Sequence, residues 1–114
     1  MAGPYTDRSA VAEGGLFLIG AEADNLDEFF ARFEGNGTRY HGCTEAQDRI
    51  DVTIGDIPVI AFTQRCANDS AFARAALFKD GFGLGTWITT TPGKKIVARD
   101  RLIELLDGLE WRTG

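Results

Sequence analysis

The chain has 114 residues, 44% of them hydrophobic and 25% charged, with a formal net charge of −5. That length suits a single domain whose core needs no metal or disulfide, and the composition excludes intrinsic disorder. The negative charge argues against a dedicated nucleic-acid binder and against attachment to an anionic membrane surface.

Residues 1–13 are polar and uneven and read as a flexible N-terminal arm, leaving 14–114 as one α/β domain. They lack the charged-then-apolar order of a signal peptide, and the early apolar run Leu16–Ile19 is too short to span a bilayer. The two cysteines, Cys43 and Cys66, are fewer than a secreted disulfide scaffold carries. A cytoplasmic location is the expectation that follows.

Leu16–Ala21 follows two glycines and reads as a short buried strand. Asn25 and Glu28 stand at capping-box spacing, and Leu26, Phe29, Phe30 and Phe33 recur at i, i+3, i+4 and i+7. A helix over 25–34, stopped by Gly35, is predicted. The polar stretch 35–48 holds one possible short strand at Arg39–Cys43. Ile50, Val52 and Ile54 alternate with Asp51 and Thr53, Gly55-Asp56 turns the chain, and Ile57–Phe62 is almost continuously apolar. This is a β-hairpin whose second strand lies centrally in its sheet. Asn68, Asp69 and Ser70 are N-cap residues, and Phe72, Ala75, Ala76 and Lys79 share one side, which predicts a second helix over 69–79. Leu84–Thr91 is rich in β-formers. Pro92-Gly93 then turns into a short strand at Lys95–Ala98, and Leu102, Leu105, Leu106 and Leu109 mark a third helix.

The predicted order is β-α-(β)-β-β-α-β-β-α, an α+β sandwich of two or three layers built on a mixed sheet of four to six strands and three helices. Without the strand at 39–43, the central part follows the ferredoxin-like order. With it, residues 25–90 resemble the core of the restriction-endonuclease-like superfamily. The resemblance implies a divalent metal held by an Asp on one hairpin strand and an acidic-x-Lys motif on the next. Asp51 occupies the first of these positions, whereas Val59–Arg65 carries neither the acid nor the lysine. A divergent nuclease would have to complete its metal site from Glu45 and Asp48.

Other constellations fit function less well than structure. His41 and Cys43, two residues apart, could share a strand face, where the imidazole would lower the thiol pKa; Cys43 reads more simply as a small packing residue. Gly81-Phe82-Gly83-Leu84-Gly85 leads into a strand instead of a helix, so its glycines serve a turn or close backbone packing, not a phosphate. Acidic residues crowd the first helix, and Lys94, Lys95, Arg99 and Arg101 crowd the last turn and helix start. These four, with Trp111 in the tail, are the candidate partner-binding residues, though the lysines also suit the guarding of a sheet edge. Asp51, His41 and Cys43 are the candidates for chemistry, and Glu45, Asp48 and Asp51 for a metal. The expectation is a small non-enzymatic protein-interaction module, an inhibitor, immunity or accessory protein of a phage or bacterial system, free of cofactor, with a protein partner or self-association and with neither nucleic acid nor membrane. The alternatives are the divergent nuclease and a structural subunit of a virion or other assembly.

Overall fold

The computed structural model describes residues 9–11 and 17–108, with side chains at 20–39 and 42–108. In chain order the elements are β1 (Ser9–Val11), β2 (Phe17–Glu22), α1 (Leu26–His41), β3 (Gln47–Ile54), β4 (Ile57–Cys66), β5 (Ser70–Lys79), β6 (Phe82–Thr90), a 3-10 turn (Pro92–Lys94) and α2 (Lys95–Asp107). Every strand pair is antiparallel, and the order across the sheet is β1-β2-β6-β5-β4-β3. The fold is therefore α+β: five substantial strands, the three-residue β1 at one edge, and two helices among the described residues.

Strands β3 to β6 form a meander, whereas β2 lies beyond β6. The chain must consequently cross the sheet between β2 and β3, a span of four strand spacings or about 19 Å. Helix α1 makes this crossing. Its 16 residues span roughly 24 Å at the helical rise, whereas a helix ending at Gly35 would fall short. Asn25 accepts from the Glu28 amide at 2.8 Å, and the helix ends at Gly42 in the left-handed region, φ 65.

The two helices cover opposite faces. Phe29 and Phe33 of α1 pack with Ala21, Ile60, Phe62 and Ala76, while Leu102 and Leu106 of α2 pack with Ile54, Ile57, Val59, Ala75 and Leu77. Neighbours along a strand point to opposite faces, so β4 and β5 are apolar on both sides and buried along most of their length. Phe29 and Phe33 come down directly on Gly83 and Gly85, where a Cβ would overlap the rings. Gly37 makes a similar close approach to Arg74 and Gln64, whereas the space around Gly35 is open.

Several expectations are corrected. The helix predicted over 69–79 is strand β5. Its Ala71, Ala73, Ala75 and Leu77 lie on one face at period two, and ladders to both β4 and β6 outweigh the small helical preference of alanine. Of the strand expected at Arg39–Cys43, residues 39–41 end α1 and Gly42 is its C-cap, and Lys95–Ala98 is the first turn of α2. Two helices replace three, the sheet is antiparallel instead of mixed, and neither the ferredoxin-like nor the restriction-endonuclease-like order is present. Ser9–Val11, inside the predicted arm, pairs with β2; the rest of residues 1–13 lies outside the described residues.

The two helical glycines should respond with opposite signs. Gly35→Ala is expected to stabilise by about 1 kcal/mol through helix propensity, and Gly37→Ala to destabilise by about 1–3 kcal/mol through overpacking. Urea unfolding of both variants checks this, and equal shifts would be inconsistent with the close approach at Gly37.

Candidate functional site

The pairing of β3 with β4 slips between Gln47 and Ile50, and Asp48 there takes a positive φ of 53. Aspartate is among the few residues that tolerate this conformation. Its Oδ2 accepts from Lys95 Nζ and from Thr63 Oγ1, each at 2.6 Å. Arg99 Nη1 donates to the Asp48 carbonyl at 2.7 Å. One residue of β3 thereby ties β4 to the start of α2. Thr63 is buried, and the Lys95 and Asp48 side chains are 19% and 26% exposed. The Lys95 hydrogen bond, followed by that from Thr63, holds the Asp48 carboxyl below its ordinary value of 3.8.

This cluster turns Lys95 and Arg99 inward and leaves their neighbours outside. Ile96 and Val97 are 47% and 71% exposed, although both are large and apolar. Lys94 beside them is exposed and in no ion pair among the described residues, and exposed Arg101 pairs with Glu104 at 3.2 Å. Helix α2 has neither a capping side chain nor an acidic residue in its first turn, so nothing within the helix itself offsets its positive end. The start of α2 therefore carries an exposed apolar pair beside Lys94 and Arg101. Lys95 stands against Asp48 of the edge strand β3, and Lys94 beside it is exposed.

The remaining candidates do not converge. Asp51 is held by Arg49 through contacts of 2.9 and 3.1 Å, which lower its carboxyl pKa. Glu45 is exposed. Among the described residues no three His, Cys, Asp or Glu side chains are grouped as metal ligands. His41 ends α1, its side chain lying outside the described residues, as does Trp111.

Cys43, expected to be a packing residue, forms a disulfide with Cys66. The bond joins the segment just after α1 to the end of β4, where Thr44 also exchanges hydrogen bonds with the backbone of Arg65. Nearby, buried Arg74 donates to Gln64 Oε1 at 2.6 Å and lies 3.9 Å from the Phe33 ring centroid. Gln64 in turn donates to the carbonyls of Glu34 and Thr44. Charge in the interior is thus matched by hydrogen bonds and ring faces.

At the far end of β6, an open cleft of about 590 Å3 is bordered by the carboxylates of Glu22, Asp24, Glu28 and Asp80. Arg32 is held there by the Glu22 carbonyl at 2.9 Å and by Glu28 at 3.4 Å. The exposed apolar pair, the disulfide and this cleft were not singled out from the sequence. Ile96 and Val97 beside four basic residues were the one visible signal, masked by reading Lys95–Ala98 as a strand.

No family model matches the chain, and no curated protein matches it. It is similar to the crystal structure of a protein of unknown function, PA94 from Pseudomonas aeruginosa, described as a proposed regulator. The identity is 14%, covering 94% of this chain and 82% of that one, with a TM-score of 0.60. At that identity the likeness shows the fold alone. No helix among the described residues is long and apolar enough to cross a membrane.

Asp48→Asn keeps a residue that accepts the left-handed backbone but removes the charge, and should cost about 1 kcal/mol near neutral pH. A depressed carboxyl pKa contributes stability that is present above the unfolded value and lost as pH falls through the folded one. The difference between wild type and variant should accordingly shrink in acid, as denaturant titrations across pH would show. Reduction of Cys43–Cys66 should lower stability by about 3 kcal/mol, measured by unfolding with and without reductant.

Proposed function

We propose that the chain is a small non-enzymatic interaction module that docks a protein partner through the start of α2. The observation that carries this reading is the exposed pair Ile96 and Val97 beside Lys94 and Arg101, above a half-buried cluster that braces the helix. An apolar centre with a charged rim is the common anatomy of a protein interface. The candidate groups for chemistry support it from the other side: Asp48 and Asp51 are engaged by cations, and Cys43 is in a disulfide. Inhibitor, immunity and accessory roles are all compatible with such a surface. The Cys43–Cys66 bridge favours an oxidising working compartment over the cytoplasm expected from the sequence.

The test compares immobilised wild type with the Ile96→Asp/Val97→Asp variant as baits for extract of the source cell. Both positions are exposed, so the variant should fold and keep its circular dichroism spectrum. A protein retained by wild type and lost by the variant is the expected result. Turnover of a small molecule with no protein retained would overturn the reading.

A further inference from the structure

We infer that the partner of the α2 surface is a second copy of this chain, whose acidic cleft receives it head to tail. The inference rests on the interaction reading above and adds the identity of the partner. The two surfaces are complementary in sign. One presents Ile96 and Val97 with Lys94, Arg101 and a helix start that has no side-chain cap. The other has half-buried Ala23 and Phe82 among its lining residues, bordered by carboxylates. Arg32 is engaged within the cleft, and Glu22, Asp24 and Asp80 form no ion pair among the described residues. These carboxylates lack the cations that the start of α2 offers.

The two surfaces cannot meet within one molecule. Strand β6 begins at the cleft with Phe82 and ends at Thr90, just before the turn that carries Lys94. Its 9 residues separate them by roughly 30 Å of extended chain. Pairing must therefore occur between molecules. Because the two patches differ, the contact is heterologous and either propagates or closes into a ring. The net charge of −5 opposes indiscriminate association, so pairing depends on the local match.

Sedimentation velocity over a concentration series at about 0.1 M and about 1 M salt reads the association. Wild type should give a distribution that broadens with concentration and contracts at high salt. Lys94→Glu/Arg101→Glu reverses one surface and Glu22→Lys/Asp24→Lys the other. Each variant alone should sediment as a monomer, with an unchanged circular dichroism spectrum. Mixed in equal amounts, they should associate again, because each reversed surface then faces its complement. Wild type that stays monomeric throughout, or a mixture that restores nothing, would overturn the inference. A monomeric wild type that still retains another protein through Ile96 and Val97 would overturn self-pairing while leaving the interaction reading intact.

Discussion

The rings of Phe29 and Phe33 lie on the backbone of Gly83 and Gly85, and the rest of the structure depends on that close approach. With no Cβ on these glycines, α1 can sink onto the middle of the sheet while it carries the chain from β2 to β3. Once α1 is seated, Phe33 meets Phe62 edge to face and Phe30 does the same, so the layer closes on aromatic contacts. Helix α2 covers the other side, and the two layers together leave β4 and β5 without a solvent face over most of their length.

Burial on both faces explains where the polar groups sit. Arg74 and Gln64 belong to central strands yet face α1, and their charge and amide groups are met by each other, by ring faces and by backbone carbonyls. Asp48, at the slip in β3, reaches around the sheet edge to the cations of α2. The disulfide adds a covalent tie at the remaining corner, between the end of α1 and the end of β4. Each tie joins elements distant in sequence, which is where a meander with one long crossover needs them. The surfaces left outside this bracing are the basic, apolar start of α2 and the acidic cleft at the opposite end of β6.

The amphipathic signals were legible because they are local. Asn25, Glu28 and the phenylalanines marked the start of α1, Leu102 and Leu106 marked α2, and Ile50–Ile54 marked β3. The almost continuous apolar run Ile57–Phe62 implied a central strand, and β4 pairs with a neighbour on each side. The alanine-rich run Ser70–Lys79 was read as helix because it satisfies helical and extended periods alike, and its two strand neighbours decide between them. The basic residues were visible as a cluster, but not their division into Lys95 and Arg99, which face Asp48, and Lys94 and Arg101, which do not.

By itself the sequence determined the net negative charge, the capped start of α1, the leucine face of α2 and the β3–β4 hairpin. These follow from composition and from spacing within a few residues, which act before any distant part of the chain is in place. Only the tertiary structure decided the length of α1, the strand identity of β5, the pairing of Cys43 with Cys66 and the exposure of Ile96 and Val97. Each of those depends on a partner brought near by the crossover, and the energy of such a contact is absent from any local window of the chain.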